Sequence, residues 1–169
     1  MTTGIAGPSA VAQAACDRAR PVLGAVVVNV AILGPDLKTT TIAWSVEKGS
    51  RYDRALAAAR KIMPGIDPVG MRIDATLNTF TGEVLLAGRT KLAKFEEAAR
   101  YSVHPMVIGL ASKMLGMRWS LSMPLVVDQK IVGSFSAHFS ERPTEATVAR
   151  AAELSGEVAA ELGRAGAFQ

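Results

Sequence analysis

The chain has 169 residues, of which 49% are hydrophobic and 20% are charged, a balance typical of one globular domain that spans residues 1–169. Its formal net charge is +4, but acidic residues are interleaved with the basic ones, which argues against the clustered cations of a nucleic-acid-binding surface. Its one cysteine, Cys16, excludes an internal disulfide and a multi-cysteine metal site, and it fits a cytoplasmic location.

Neither a membrane span nor a secretory signal is expected. The longest apolar stretch is interrupted by Gly24 and Asn29 and is shorter than the ~20 residues that a membrane helix needs. The N-terminal residues lack a basic cluster followed by an apolar core. We therefore expect neither a membrane nor a nucleic acid among the partners.

A helix and a hairpin are predicted first along the chain. Residues 9–20 are rich in alanine and lie between Pro8 and Pro21, which frame a short helix. Residues 24–33 and 39–46 are rich in β-branched side chains, and a glycine, a proline and an aspartate separate them. This pattern predicts an antiparallel hairpin.

A second helix and a less regular segment follow. Residues 50–63 carry an apolar stripe at helical spacing, made by Tyr52, Leu56, Ala59 and Met63. Residues 67–117 lack a clean period, so short helices and loops are expected there. The better helical candidates are residues 79–86 and 91–101, and Pro105 is expected to end or bend what precedes it.

Residues 118–139 form a second predicted hairpin whose two faces differ. With a turn at residues 128–130, one face carries large apolar side chains, which must pack against helices. The other face carries small hydroxyls with one arginine and one histidine: Arg118, Ser120, Ser122, Ser134, Ser136 and His138. Such a face can simply meet water. Because it lacks long charged side chains, it is better suited to a cavity that holds a polar or anionic ligand.

The last predicted element is a long helix from about Thr144 to Arg164. An apolar stripe at spacings of three and four suits docking on the sheet, and it comprises Val148, Ala151, Leu154 or Ser155, Val158 and Leu162. The small side chains of Ala151, Ser155 and Ala159 also allow helices to approach closely. They predict a homodimer through the terminal helices.

These elements predict an α/β (α+β) fold. A central antiparallel sheet carries the N- and C-terminal helices on one face. A ligand cavity lies on the other face, under short helices and loops.

The C-terminal half resembles a GAF domain, a small-molecule sensing module of signalling proteins. The resemblance is carried by the segment MPLVVDQKIVGSFSAHFSERPTEATVARAAELSGEVAAEL, with its strand, turn, strand and final helix. Residues 102–138 are also similar to the phytochrome branch, in which Ser120 and Ser122 match serines that meet the ligand's acidic groups and His138 matches a cavity histidine. The resemblance implies a non-catalytic sensory domain that works with an output domain or a kinase.

Departures from the family narrow the choice of cofactor. Met106 and Val107 stand where bilin-binding members carry a cysteine or isoleucine followed by histidine, so a bilin is not expected. His104 could ligate haem but more often such a residue caps a loop. The free methionine sulfoxide reductases of this fold need several cysteines, which disfavours that enzyme. A dimerisation module with a vestigial pocket stays open as an alternative.

Overall fold

The computed structural model describes residues 6–168, and its centre is a six-stranded antiparallel sheet with the order β3-β2-β1-β6-β5-β4. The strands are β1 Val27–Leu33, β2 Lys38–Val46, β3 Arg72–Asp74, β4 Lys91–Lys94, β5 Trp119–Val127 and β6 Lys130–Phe139. The helices are α1 Pro8–Leu23, α2 Ser50–Ile62, α3 Thr79–Leu85, α4 Phe95–Ala98, α5 Pro105–Leu110 and α6 Glu145–Arg164. A π-helical turn, Ala111–Leu115, continues α5. Within residues 6–168, no helix has the length and apolar character needed to cross a bilayer.

Helices α1 and α6 pack side by side on one face of the sheet. The apolar faces of β5 and β6 meet them in the largest buried cluster, which includes Leu121, Phe135 and Leu162. Helix α6 begins where expected, because the hydroxyl of Thr144 accepts a hydrogen bond from the backbone N–H of Thr147. The predicted fold class is confirmed, since the other helices and the loops cover the opposite face.

The small-residue stripe of α6 lies inside this layer. Ala151, Ser155 and Ala159 are all buried within the protomer. The predicted use of this stripe as a dimer contact is therefore wrong, because its close-approach surface is already covered by the protein's own chain. A homodimer stays a prediction that would need the outer surfaces of the terminal helices.

The register of the second hairpin is as predicted over most of its length. Leu125 pairs with Gly133, and the pairing continues in steps to Trp119 opposite Phe139. The turn differs, because it contains two residues, Asp128 and Gln129, both with positive φ. A bulge restores the predicted register by leaving one extra residue, Val132, on β6.

A bulge in the first hairpin decides which side of β2 faces which layer. The register shifts between Val30 opposite Ala43 and Ala31 opposite Thr41, which leaves Ile42 as the extra residue. The strict alternation of side chains is therefore reset at this point. As a result Trp44 faces the cavity side of the sheet, and Ala43 joins the core under α1 and α6.

Three local predictions are corrected. Helix α1 does not stop before Pro21 but ends at Leu23, and Gly24 follows it in a left-handed conformation. The N–H of Gly24 donates a hydrogen bond to the carbonyl of Pro21. Residues 91–94 form an edge strand beside β5, so only α4 within the predicted 91–101 helix is helical. Pro105 begins helix α5, at a position that needs no N–H donor.

Candidate ligand cavity

A cavity of about 210 Å³ lies between the sheet and the elements that cover it. We call its sheet side the floor, and the floor's polar side chains are Asn29, Thr39, Thr41, Ser120, Ser122, Ser134, Ser136 and His138. We call the opposite side the roof, formed by α2, α3, α4, α5, the π-helical turn and their loops. The roof side chains are mainly alanine, leucine, isoleucine, valine and phenylalanine. The cavity thus joins a polar surface to an apolar one.

The floor positions follow from strand alternation and register. Ser120 lies opposite His138 and Ser122 lies opposite Ser136 across β5 and β6. Asn29 on β1 lies opposite Ser136 on the other side of β6. Five of the six residues that the sequence nominated, Ser120, Ser122, Ser134, Ser136 and His138, therefore line one cavity.

Hydroxyls on the floor form hydrogen bonds with neighbouring floor side chains, so these hydroxyls do not require the polar or anionic ligand expected from the sequence. The Ser120 Oγ to His138 Nδ1 distance is 2.8 Å, and the Ser122 Oγ to Ser136 Oγ distance is 2.7 Å. His138 Nε2 also lies 3.1 Å from Asn29 Oδ1. These contacts give most of the polar side chains on the floor a hydrogen-bond partner within the protein. The cost of removing those side chains from water therefore does not by itself require a ligand.

His138 is neutral at pH 7 and so supplies no counter-charge for the anionic ligand that the sequence allowed. Burial lowers the pKa of His138 to about 4, because the charged form loses water and no carboxylate replaces it. The ring is also held edge-on by Phe95, with 5.5 Å between the ring centroids. The imidazole therefore acts as a hydrogen-bonding group.

Arg118 does not belong to the cavity. Its side chain is exposed and is absent from the cavity lining, while its backbone N–H donates to the carbonyl of Phe139. It lies immediately before the first residue of β5. Within residues 6–168, no aspartate, glutamate, lysine or arginine lines the cavity.

No protein-family model and no curated protein matches the chain. Solved structures do match it. The blue-light absorbing form of the PixJ GAF domain from Thermosynechococcus elongatus has a TM-score of 0.61 at 18% identity, covering 93% of this chain and 85% of that one. The second GAF domain of DevS from Mycobacterium smegmatis has a TM-score of 0.62 at 12% identity, covering 95% and 96%. This chain has the GAF-domain fold.

A third structure with the GAF fold carries a named cofactor. The phycocyanobilin-bound GAF domain of a cyanobacterial phytochrome has a TM-score of 0.63 at 16% identity, covering 95% of this chain and 86% of that one. At these identities the likeness establishes the fold, and the chemistry of the cavity has to come from this chain's own residues.

Sequence reasoning missed three residues of the GAF cavity. Asn29 stands alone in an apolar strand, and an isolated amide in such a run is the signal that could have found it. Trp44 lines the cavity because of the bulge in β2, which strict alternation along the strand does not predict. Tyr52 of α2 also lines the cavity, and burial raises the pKa of its hydroxyl.

The other reactive side chains lie outside the cavity. Cys16 is buried under the opposite face of the sheet, and burial raises the pKa of its thiol to about 12. His104 caps α5, because its Nδ1 accepts a hydrogen bond from the N–H of Met106. Within residues 6–168, no group of three histidine, cysteine, aspartate or glutamate side chains could hold a metal ion.

Proposed function

We propose that this GAF fold is a non-catalytic sensory domain that binds a small molecule between the floor and the roof. The observation that carries the proposal is the 210 Å³ cavity, which joins a hydrogen-bonding floor to an apolar roof. Such a combination is typical of small-molecule sites, in which apolar walls supply affinity and a few polar groups fix orientation. An output domain or kinase as partner, and a cytoplasmic location, belong to the same proposal.

The size of the cavity favours an organic ligand over water alone. One buried water needs roughly 10–15 Å³ of this kind of volume, together with two to four polar partners. The cavity holds many times that volume, and the roof offers few partners. An apolar molecule that displaces poorly bonded water from the roof gains affinity by doing so.

A bilin does not fit this site. The volume of about 210 Å³ is below the roughly 300–1,000 Å³ of pockets for drug-sized ligands, and a linear tetrapyrrole, with four rings, needs a pocket at least within that range. Its carboxylates would also meet no cationic side chain among the lining residues within 6–168. Met106 is strongly exposed and stands in place of an attachment cysteine.

We expect the protein to lack visible absorbance when it is purified from cells that make both bilin and haem. The cavity does not fit a tetrapyrrole, and the side chain of His104 is already used as a helix cap. An absorption spectrum recorded before and after denaturation tests this. A visible band that survives denaturation would contradict it, since that band would report a covalently attached pigment.

A hydrolase is the second candidate, and one observation favours it. Ser120, His138 and Asn29 form a hydrogen-bonded chain of hydroxyl, imidazole and amide. Two features weigh against catalysis. A histidine with a pKa of about 4 is a poor base at neutral pH, and Asn29 supplies no charge to stabilise an imidazolium. The side chain of Ser120 is also almost fully buried.

Replacing Ala55 with phenylalanine is expected to abolish ligand binding. Ala55 lies on the cavity side of α2 and is 5% exposed, so the added ring must occupy cavity volume. Ala57→Phe is the matched control, since Ala57 is exposed on the same helix. Native mass spectrometry of each protein as isolated, followed by a thermal-shift screen of small molecules, measures occupancy. Equal binding by both variants would mean that the ligand lies elsewhere.

A further inference from the structure

We propose that the cavity selects an uncharged, largely apolar molecule of about one ring, whose carbonyl-type oxygen accepts a hydrogen bond from the side-chain amide of Asn29. This inference rests on the proposed ligand-binding function, because it names the ligand class and the residue that orients it. It replaces the polar or anionic ligand expected from the sequence.

The charge of the ligand follows from the lining. An ion that leaves water without a partner of opposite charge pays a penalty far larger than a hydrogen bond returns. The nearest nominated cation, Arg118, is exposed outside the cavity, and His138 is uncharged at neutral pH. An anion therefore has no counter-charge here, whereas an uncharged molecule loses little on entering.

The direction of each hydrogen bond on the floor can be assigned. Asn29 Oδ1 can only accept, so His138 Nε2 must carry the proton and donate to it. The other ring nitrogen of the neutral imidazole is then an acceptor, and the Ser120 hydroxyl donates to it. This series of hydrogen bonds uses the side-chain oxygen of Asn29 and leaves its NH₂ group free.

The free amide nitrogen of Asn29 faces the cavity. Within residues 6–168, no protein group accepts a hydrogen bond from Asn29 Nδ2, and this atom is not among the enclosed polar atoms that lack a partner. The side chain lies on the floor in the central strand β1, where the space it can reach is the cavity. Two N–H donors are thus available to a ligand.

A second donor stands beside Asn29. Ser122 and Ser136 share one hydrogen bond, which uses one of their two hydroxyl protons and leaves the other. Ser136 lies directly opposite Asn29 across the β1–β6 pairing. This part of the floor therefore offers donors, and the complementary ligand group is an acceptor such as a carbonyl oxygen.

The cavity volume limits the apolar part of the ligand. An apolar cavity of about 150 Å³ holds one benzene ring. The 210 Å³ available here accommodates one ring with a short substituent. Three probes of this size test the charge of the ligand and its hydrogen-bond acceptor separately. Acetophenone has a carbonyl, isopropylbenzene has no acceptor, and benzoate carries a charge.

The first experiment titrates the three probes into the protein at pH 7, with saturation-transfer NMR and calorimetry as readouts. We expect acetophenone and isopropylbenzene to bind and benzoate to bind at least tenfold more weakly than acetophenone. Benzoate binding as tight as that of acetophenone would overturn the inference and leave the proposed function standing. No binding by any of the three at millimolar concentration would overturn both.

The second experiment tests Asn29 itself. The Asn29→Asp variant keeps an acceptor for His138 but removes the NH₂ group, so we expect acetophenone affinity to fall roughly three- to tenfold. Isopropylbenzene affinity is the internal control and should be unchanged, which also verifies that the cavity has formed. In the unaltered protein, the ¹⁵N-detected side-chain amide signals of Asn29 should shift with acetophenone but not with isopropylbenzene. An equal loss for both probes, or an unmoved Asn29 signal, would overturn the assignment.

Discussion

Replacing Gly133 with alanine is expected to destabilise the protein by about 3 kcal/mol or more, the upper end for overpacking. A Cβ on Gly133 would collide with the backbone carbonyl of Ala31 on the neighbouring strand. Backbone atoms in the middle of a sheet cannot move aside as the end of a long side chain can, so the pairing of β1 with β6 must open. For a chain of this size the expected fall in the melting temperature is roughly 6–12 °C.

A second glycine provides the control for this experiment. Gly156 lies on the exposed side of α6, and a Cβ there would meet no atom within 4 Å. Gly156→Ala should stabilise the protein by about 0.5–1 kcal/mol, because alanine loses less backbone entropy in a helix than glycine does. Urea unfolding monitored by circular dichroism measures both variants. If Gly133→Ala were as stable as the parent, the close approach of β1 and β6 would be wrong.

Acidification is expected to destabilise the protein through His138 by up to about 3 kcal/mol. Its pKa is lowered to about 4 in the folded state from its ordinary value of 6.5. Above pH 6.5 the histidine is neutral in both states and contributes nothing to the difference. Below pH 6.5 only the unfolded chain takes up the proton, so stability falls by about 1.4 kcal/mol per pH unit until about pH 4.

The His138→Gln variant isolates this contribution from the carboxylates, which titrate in the same range. Glutamine can still hydrogen-bond to Ser120 and Asn29 but takes up no proton. The difference in the free energy of unfolding between parent and variant should therefore change with pH between 6.5 and 4. If this free-energy difference stayed constant over that range, His138 would have the same pKa in the folded and unfolded states. The cavity would then be able to hold a charged group.

The chain's local patterns determine its layers. Apolar and polar side chains alternate along residues 119–125 and 133–139, so the pleat alone separates the helix-packed face from the serine face. The stripe at Val148, Ala151 and Val158 follows the helical repeat, and α6 packs on the sheet through it. These predictions hold because each depends on residues close together in sequence.

Only the tertiary structure decides the chemistry of the cavity. The charge of His138 depends on the segments that bury it, and its hydrogen-bond partner Asn29 is 109 residues away in the chain. The position of Trp44 depends on one bulge, and Arg118 leaves the site although it is only two residues from Ser120. Burial and pairing are set by whichever distant segments meet, so the sequence determined which side chains share a face, and the fold determined their charge, their partners and the ligand they favour.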